Sequence, residues 1–513
     1  MGVAGFTPFL QKICPNVLKH IPERLKALDG KRIVIDGTLI TQRLHFGSDL
    51  HPNHHVWGWY RLAHELKQNN ISAICVFDGT ERSSAKKEEL KRRRAARELT
   101  LTRGSIEDAR FQRLHDLKSS MNKLDELDEP IRQEVVKILR ETDFNAGDSS
   151  AAVLDKVIIE KTTLDVEPPA PDLVLPERGV VEQPDIPSPT PPLLNNATEL
   201  ANLLKSLHLS YQADVAKLIT LSTKPALREL DASLDGKPEE IEKTVTKKQY
   251  KLTLQEGKVW EELSSSIDQP RFEVPASANE DVSELLDKSH AMATSFQKRN
   301  NAPTAKTYAD SKAILKAMGI PCIEATGTIE AEALASAIVL EGHADYVVSE
   351  DTDVLVYEAP LIRNITAYAE PLLVISGADV RTELDLTRAA YVDFVLLLGT
   401  DFSQRIKNVG PMRAYDFIKT HGSIERVLAA IEENPRYSLR ISPDAYLAQV
   451  QIARLVFATL PAVPTAELMA PLAKDEEEVK RLLRKYDLHD ISSDTPFGTA
   501  LAGNLFNDNP YAL

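Results

Sequence analysis

The sequence predicts an α/β protein whose central sheet is mostly parallel and flanked by helices. Three short apolar runs are each followed by an acid: "KRIVID" ends in Asp36, "ISAICVFD" in Asp78, and "ADYVVSED" in Asp351. Helical periodicity separates them, for instance in "VWGWYRLAHELKQN" and "AEALASAIVLEGH". Strands that alternate with helices indicate βαβ units and parallel pairing. The three acids would then lie at one edge of the sheet, in the crevice where open α/β sheets bind ligands.

The last of these strand ends collects more negative charge than a helix cap needs. Glu350, Asp351 and Asp353 follow it directly in "VVSEDTDVLVYEA". One acid there could cap the next helix, whereas two acids at i and i+2 repel each other unless a cation lies between them. A second acidic pair, Glu330 and Glu332 in "GTIEAEALAS", begins a helix, where acids also suit the helix dipole.

Together with an acid further along the chain, these make seven candidate metal ligands. They are Asp36, Asp78, Glu330, Glu332, Asp351, Asp353 and Asp401. Seven carboxylates in one crevice require divalent cations, and a ligand set made only of oxygen favours Mg²⁺ or Mn²⁺ over zinc. Glu350 is expected to lie outside the ligand set.

Composition limits the class of protein. The chain has 513 residues with 43% hydrophobic and 27% charged residues, which is ordinary for a globular protein. No apolar run approaches the ~18 residues of a membrane span, and the N-terminus does not resemble a secretory signal. Three scattered cysteines indicate a reducing compartment, so we expect an intracellular protein.

The net charge of −15 hides a strongly basic segment. From Arg82 to Arg97, "RSSAKKEELKRRRAAR" holds eight Lys or Arg residues and two Glu residues. Because only the local field meets a phosphate, this segment can bind nucleic acid despite the net charge. A solvated helical face or a localisation signal is the alternative interpretation.

The pattern changes between about residues 110 and 300. The stretch "EPPAPDLVLPERGVVEQPDIPSPTPP" contains nine prolines and predicts a disordered linker at about 163–195. Amphipathic helices are predicted on both sides of it, in "MNKLDELDEPIRQEVVKILRE" and "ATELANLLKSLHLSYQADVAKLI". After Ala378 the chain is predicted to be helical, and "LLLGTDFSQRIKNVGPMRAYDFI" reads as a helix, a short loop and a second helix. Such a unit can present backbone amides to a phosphodiester backbone, although a plain helical hairpin would look similar.

These motifs resemble the flap endonuclease/XPG family of structure-specific 5′-nucleases. "MGVAGFTPFL" is similar to that family's N-terminus, and "IVIDGTLI" and "VFDGT" are similar to its first two acidic strand ends. "GTIEAEALAS", "SEDTDVL" and "LLGTDF" followed by "NVGPMRAYDFI" resemble its later acids and its helix–two-turn–helix element. The resemblance covers about residues 1–110 and 300–490, and the spacer between them is about 180 residues longer than a minimal member needs. An aromatic residue expected shortly after the first acid is replaced by Gln42.

The resemblance implies a PIN-like nuclease fold with a helical C-terminal DNA-binding region and a partly disordered helical insertion. The implied divisions are an N-terminal nuclease half at 1–110, a spacer at 111–300, an internal nuclease half at 301–380, a helix–two-turn–helix region at 381–490 and a tail at 491–513. The implied activity is metal-dependent hydrolysis of phosphodiester bonds in branched or flapped DNA, by flap endonuclease or 5′→3′ exonuclease action, in DNA repair or replication.

The resemblance also implies roles for particular residues. Two Mg²⁺ ions, replaceable by Mn²⁺, would be held by the seven acids, with Asp351 and Asp353 catalytic as well. Lys86 and Arg93 fall where the family places its phosphate-contacting bases, once one extra residue is allowed in the alignment. Residues expected to contact DNA are Gly2, Arg92, Arg94, Asn408, Val409, Gly410 and Arg413, with K⁺ as a further expected ion at the helix–two-turn–helix loop.

Partners and alternatives complete the expectations. The implied substrate is DNA with a 5′ flap, fork or gap, with RNA as an alternative; a protein partner could dock on 111–300. No membrane contact is expected, and the tail "DTPFGTALAGNLFNDNPYAL" has no sliding-clamp motif. We expect a nuclear location, with the mitochondrion or cytoplasm as alternatives.

One rival function is a nuclease-like scaffold that binds RNA or protein without cutting. A phosphatase is another, but it gives no reason for the basic helix.

Overall fold

The computed structural model describes residues 2–3, 5–46, 53–81, 86–141, 197–223, 238–269, 272, 276–432 and 434–488. The proline-rich linker predicted at about 163–195 and the tail at 491–513 lie outside the described residues. The chain divides into two compact units. The first takes in the residues up to Ala95 and those from Ala302 onward, and the second takes in most of those between.

The first unit is built on a mixed, mostly parallel sheet. Its strands are β1 Leu18–Ile21, β2 Arg32–Asp36, β3 Ser72–Phe77, β4 Cys322–Glu324, β5 Tyr346–Val348, β6 Pro360–Arg363 and β7 Leu372–Ser376. Within the described residues they form one seven-stranded sheet in the order β1-β7-β6-β5-β2-β3-β4. The pairs β2–β3, β2–β5, β3–β4 and β5–β6 are parallel, while β7 pairs antiparallel with both β1 and β6. The predicted α/β class with a mostly parallel sheet is confirmed.

Helices occur in both units of the chain. In the first unit they are α1 Phe6–Ile13, α2 Gly37–His45, α3 His54–Gln68, α9 Ala305–Ala317, α10 Ala331–Leu340, α11 Asp353–Val356, α12 Gly377–Glu383, α13 Arg388–Leu398, α14 Pro411–His421, α15 Ile424–Ile431, α16 Pro443–Ala458, α17 Ala466–Met469 and α18 Glu476–Lys485. The second unit contains most of α4 Lys87–Glu126, with α5 Glu129–Glu141, α6 Ala197–Thr223, α7 Pro238–Ile267 and α8 Ala276–Asn300. The helices predicted beside the proline-rich linker are present as α5 and α6. Among the described residues, none of the helices has both the length and the apolar composition that a membrane span requires.

The central strand β2 shows why the apolar runs fold as buried strands. Ile33, Val34 and Ile35 are fully buried, as expected for a parallel strand that is covered on both faces. Because successive side chains point to opposite faces, Val34 joins the apolar cluster that contains Ile338 of α10, whereas Ile33 and Ile35 join the cluster that contains Trp59 of α3. The sheet therefore separates two cores, and its strand ends are fixed in register.

The second unit has its own core and a buried set of charges. Apolar side chains from α4, α6 and α7, such as Leu114, Leu204 and Leu263, form one cluster. At one level of this core Glu256 bonds both Arg110 and Arg113. Burying charges is favourable only when each is paired and hydrogen-bonded, and this network satisfies that condition.

Candidate active site

The strand order brings three of the predicted acids to one edge of the sheet. β2 lies between β3 and β5, and all three strands run parallel, so their carboxyl ends meet. Asp36 is the last residue of β2, and it also caps α2, because the backbone N–H of Leu39 donates to its Oδ1 at 2.9 Å. Asp78 follows β3, and Asp351 lies three residues beyond β5.

The Glu330–Glu332 pair joins this edge through Asp78. The backbone N–H of Ala331 donates to Oδ1 of Asp78 at 2.9 Å, which ties the start of α10 to the end of β3. Glu330 is the N-cap residue of α10 and Glu332 lies in its first turn. Both carboxylates therefore lie near the positive end of the helix, which favours negative charge.

Asp351 and Asp353 form a compact turn after β5. The backbone N–H of Asp353 donates to Oδ1 of Asp351 at 2.9 Å, and the N–H of Asp351 donates to Oγ of Ser349 at 3.0 Å. Asp353 begins α11 and is 1% exposed, and its Oδ1 has no hydrogen-bond partner among the described residues. A buried carboxylate oxygen without a donor is available to ligate a cation.

Gly2 packs against this turn at a distance that excludes any side chain. It has a φ of +82°, and a Cβ built there would lie 2.1 Å from Oδ1 of Asp351. The backbone N–H of Val3 donates to Oγ1 of Thr352 at 2.9 Å, which holds the N-terminal segment on the turn. Gly2, for which the resemblance implies DNA contact, lies directly beside Asp351.

Two of the predicted basic residues reach the acids. Nζ of Lys86 lies 2.6 Å from Oε1 of Glu330 and 2.9 Å from Oδ2 of Asp401. Nη2 of Arg93 lies 2.8 Å from the same oxygen of Asp401. The basic segment therefore contributes two cations to the acid cluster. Arg94 is exposed on α4, and the side chain of Arg92 lies outside the described part of the structure.

Burial, and then the crowding of carboxylates, raises the pKa values of several acids at this edge. Burial raises the pKa of Asp36 to about 7, with a further contribution from Asp78. Burial also raises the pKa of Glu332 well above its ordinary value, and Glu330 adds to the effect. The pKa of Asp353 is raised in the same way by burial and then by Asp351. These carboxylates therefore repel one another in a poorly solvated site and would be stabilised by added positive charge.

The negative charge of Asp401 is already neutralised by its two basic neighbours. Burial alone would raise the pKa of Asp401, but the charges of Lys86 and Arg93 hold it below its ordinary value. Burial alone would lower the pKa of Lys86, but Asp401 and Glu330 raise it well above its usual range. Lys86 is therefore a fixed ammonium between two carboxylates.

The oxygen atoms of the candidate ligands suit a hard divalent cation, although their side chains are not arranged around a common metal position. All seven candidate ligands offer oxygen atoms only, the type that Mg²⁺ and Mn²⁺ prefer. The unpaired Oδ1 of Asp353 and the raised pKa values of three of the acids indicate a demand for positive charge. Among the described residues no group of three or more His, Cys, Asp or Glu side chains is arranged to hold a metal ion. Lys86 occupies the space between Glu330 and Asp401 instead.

The predicted helix–loop–helix is present as α13, a loop and α14. Asn408 has a φ of +62°, and its Nδ2 donates to the carbonyl oxygen of Arg436 at 2.7 Å. Val409 is buried, Gly410 is the N-cap residue of α14, and Arg413 donates to the carbonyl oxygen of Asn408. Only Asn408 is exposed among these four; Gly410 and Arg413 are half-buried.

Several residues that support the site were not singled out in the sequence. Ser349 donates to Oδ2 of Asp36 at 3.0 Å and accepts from the Asp351 N–H, so it connects the ends of β2 and β5. Its position directly after an apolar strand was the available signal. Thr38 similarly accepts from the backbone N–H of Asp78 at 2.8 Å. Glu350, by contrast, was predicted from the sequence to lie outside the ligand set; it is buried and paired with Arg363 at 3.2 Å, and the N–H of Asn364 donates to it at 2.8 Å.

Two protein-family models match parts of the chain. Residues 1–100 match the XPG N-terminal domain, and residues 319–401 match the XPG I-region. The first contains Asp36, Asp78 and Lys86. The second contains four of the candidate ligands, Glu330, Glu332, Asp351 and Asp353, and ends at a fifth, Asp401.

Parts of the chain are also similar in sequence to known flap endonucleases. The chain is 35% identical over 187 residues to "Flap endonuclease 1" of Komagataella phaffii, which covers 36% of this chain and 49% of the relative. It is 37% identical over 153 residues to the protein of that name from Aspergillus clavatus, which covers 29% of this chain and 38% of the relative. The chain thus spans about half the length, or less, of these relatives.

Solved structures overlap the chain at low similarity. "The catalytic core of Rad2 in complex with DNA substrate" superposes with a TM-score of 0.45 and 12% identity, covering 95% of this chain and 98% of that one. Flap endonuclease-1 from Methanococcus jannaschii superposes with a TM-score of 0.41 and 16% identity, covering 96% and 95%. The chain therefore contains two XPG domains, at residues 1–100 and 319–401, and it is similar to flap endonucleases over about a third of its length.

Proposed function

We propose that this protein is a metal-dependent, structure-specific 5′-nuclease that hydrolyses phosphodiester bonds in branched or flapped DNA. The observation that carries the proposal is the contact of Lys86 with both Glu330 and Asp401. It joins a basic segment, suited to phosphate, to an all-oxygen acid cluster, suited to Mg²⁺. The two matched domains and the flap endonuclease relatives support the same activity.

The acids would hold the cations. Glu330, Asp351 and Asp353 would bind two Mg²⁺ ions directly, with Mn²⁺ as a substitute. The remaining four would bind directly or through water; they are Asp36, Asp78, Glu332 and Asp401. When bound, the ions would lower the pKa of a water molecule and stabilise the leaving 3′ oxygen.

The protein's own residues would position and neutralise the substrate. Lys86 and Arg93 would place positive charge beside the scissile phosphate as negative charge develops on it. Gly2 would keep the N-terminal backbone against Asp351 and so fix the orientation of that carboxylate. Asp36 would be held by Ser349 and by the Leu39 N–H, which leaves its rotamer little freedom.

The helix–loop–helix and the basic helix would grip DNA without reading its sequence. Backbone groups around Val409 and Gly410, with the side chains of Asn408 and Arg413, would contact phosphates, with K⁺ as an additional ion at this loop. Arg92 and Arg94 would assist the entry of a single strand. A flap or fork in DNA, with RNA as an alternative, a protein partner on 111–300 and a nuclear location remain predictions.

A labelled 5′-flap duplex tests the proposal directly. The purified protein should release the flap in Mg²⁺ and should do nothing in EDTA. A blunt duplex of the same sequence is the control for structure specificity. Lack of cutting on flap, fork and gapped substrates in both Mg²⁺ and Mn²⁺ would reject the nuclease function.

The rival function, a scaffold that binds nucleic acid or protein without cutting, has one observation in its favour. Among the described residues no group of three or more acids is arranged to hold a metal ion. Tight flap binding with no cutting in either metal would select this alternative. Calorimetric titration of Mg²⁺ into the protein separates the two further, since a scaffold without a metal site would give no heat of binding.

A further inference from the structure

Two of the cysteines lie opposite each other on neighbouring strands of the sheet. Cys75 of β3 and Cys322 of β4 are partners in the register of these two parallel strands. Because directly opposite residues of adjacent strands point to the same face, the two side chains lie side by side. Cys75 belongs to the apolar cluster that contains Trp59, and Cys322 packs against that cluster. The structure holds both as free thiols.

The spacing of the two backbones suits a disulfide bond. Adjacent strands lie about 4.8 Å apart, which falls within the Cα···Cα range of about 4.4–6.8 Å that disulfides span. The β-carbons of a disulfide lie about 3.5–4.5 Å apart, so the two strands must draw slightly closer together to form one. β4 has the freedom to move, because it is a three-residue strand at the end of the sheet order and pairs only with β3 among the described strands.

The two thiols differ in their access to an oxidant. Cys322 is half-buried, whereas Cys75 is fully buried. An oxidant from solvent therefore meets Cys322 first, and Cys75 is held beside it as the second thiol. Burial raises the pKa of the Cys322 thiol to about 12, although Lys316 and Lys312 act in the opposite direction. Because the thiolate is the reactive form, we expect oxidation to take minutes to hours.

The two strands that carry these cysteines lead to the acid cluster. Asp78 follows Cys75 by three residues, and its Oδ1 accepts a hydrogen bond from the Ala331 N–H at 2.9 Å. The strand ends are already tightly packed, since a Cβ built on Gly79 would lie 2.4 Å from the carbonyl oxygen of Ala325. Drawing β3 and β4 together would therefore displace the segment that holds Asp78.

We propose that Cys75 and Cys322 form a reversible disulfide when peroxide is the oxidant, and that this bond slows cleavage. The Cys322 thiolate attacks one oxygen of hydrogen peroxide, which forms a sulfenic acid and expels hydroxide; the hydroxide takes up the proton that the thiol lost. The Cys75 sulfur then attacks the Cys322 sulfur, and its proton leaves with the sulfenic oxygen as water. The two thiols lose two electrons, and one peroxide becomes two water molecules. The effect on cleavage rests on the nuclease function proposed above, whereas the disulfide does not.

Mass spectrometry of the full chain after overnight treatment with hydrogen peroxide tests the bond. The wild-type protein should lose about 2 Da, and a proteolytic digest should contain one linked peptide pair that carries Cys75 and Cys322. Its three free thiols should fall to one. Cys322→Ala and Cys75→Ala should form no such link. Cys14→Ala is the matched control and should behave like the wild type, because Cys14 is buried in the apolar cluster on the other face of the sheet.

The effect on cleavage is measured on the same samples, with a 5′-flap duplex in Mg²⁺ after the peroxide has been removed. Oxidation should lower the single-turnover rate of the wild type and of Cys14→Ala by about 10-fold, since a displacement of about 1 Å at a reacting group can cost ~100-fold. Dithiothreitol should restore the rate. The rate of Cys322→Ala should not respond to oxidation, which separates the disulfide from other oxidative damage. Melting curves confirm that each variant folds.

Each result bears on one part of the proposal. If folded wild-type protein yields no linked peptide after the treatment, the disulfide is wrong, whatever the protein does to DNA. If the disulfide forms and the cleavage rate does not change, the effect on cleavage is wrong. If the reduced protein cuts no flap, fork or gapped substrate, the nuclease function and the effect on cleavage are both wrong, while the mass measurement still decides whether the disulfide forms.

Discussion

Gly2 and Asp351 are in such close contact that a β-carbon on Gly2 would lie 2.1 Å from Oδ1 of Asp351. The same carbon would lie 2.8 Å from the backbone nitrogens of Thr352 and Asp353. Real β-carbons do not approach other atoms so closely, so the turn that carries two proposed metal ligands can keep its shape only beside a glycine. The left-handed φ of +82° adds a second reason for glycine at this position.

Gly2→Ala is expected to reduce single-turnover cleavage by about 100-fold or more, since a displacement of about 1 Å at a reacting group can cost that much. Gly30→Ala is the matched control. Gly30 also has a positive φ, of +71°, but a Cβ there would meet nothing within 4 Å. It should lose about 1–2 kcal/mol of stability and keep its activity. Equal activity in the two variants would show that the contact with Asp351 does not matter.

Asp353→Asn and Asp351→Asn are each expected to reduce the cleavage rate by more than about 100-fold while the protein still folds. Removing one charge from a buried, mutually repelling set should leave the melting temperature unchanged or raise it. Glu350→Gln is the contrast, because Glu350 is paired with Arg363 and should lower the melting temperature when neutralised. Near wild-type cutting by either aspartate variant in Mg²⁺ would remove that residue from the site.

Lys86→Ala and Arg93→Ala are expected to slow the chemical step by roughly 100- to 1,000-fold, with a much smaller effect on DNA affinity. The reason is that charge at the scissile phosphate matters most in the transition state. Lys91→Ala, at an exposed position of the same helix, is the control for general loss of basic charge. Unchanged single-turnover rates at saturating enzyme would support the alternative interpretation, in which the basic segment is only a solvated helical face.

The sequence predicted the sheet and the positions of the acids because both follow from short-range patterns. An apolar run before Asp36 or Asp78 marks a buried parallel strand, and parallel strands end at a common edge. The contact of Lys86 with Glu330 could not be predicted from pattern, because it depends on how a basic segment and a helix far along the chain pack in space. Its place in the site came from resemblance alone.

The buried charges of the second unit show a different limit of prediction from sequence. Arg110, Arg113 and Glu256 are spaced like the polar residues of any solvated helix, and burial of charged residues is rare enough that sequence patterns do not predict it. Here the three side chains are at most 2% exposed, because Glu256 of α7 pairs with both arginines of α4, and Glu107 of α4 adds a second partner for Arg110. Partners that lie on separate helices cannot be identified from the spacing within one of them.

Glu256→Gln is therefore expected to lower the free energy of unfolding of the second unit by about 3–5 kcal/mol, because two buried arginines lose their shared carboxylate. Nε of Arg110 lies 3.1 Å and Nε of Arg113 2.6 Å from its two oxygens. Hydrogen exchange of α7 in urea measures the effect on this unit separately from the sheet. Glu261→Gln, at an exposed position on the same helix, is the control. A loss below about 1 kcal/mol would mean that the network is not needed for stability.

His55 makes the stability of the first unit sensitive to acid. Its side chain is 3% exposed, and neither ring nitrogen has a hydrogen-bond partner among the described residues. The rings of His45 and His54 lie 6.0 and 6.4 Å away. Burial lowers the pKa of His55 to about 3, with further contributions from His45, His54 and Lys306. The folded protein therefore keeps this imidazole neutral at a pH where the unfolded chain protonates it.

Because the unfolded state binds the proton first, stability should fall as the pH drops below about 6.5 and should stop falling near pH 3. Between about pH 7 and pH 5 the loss from His55 should be about 2 kcal/mol. His55→Leu removes the titrating group and no hydrogen bond made to a described residue, so it should flatten the decline in urea unfolding between these pH values. His64→Gln, on the half-buried face of the same helix, is the control and should keep the wild-type decline. If His55→Leu loses stability with acid as steeply as the wild type, the acid sensitivity arises from other groups.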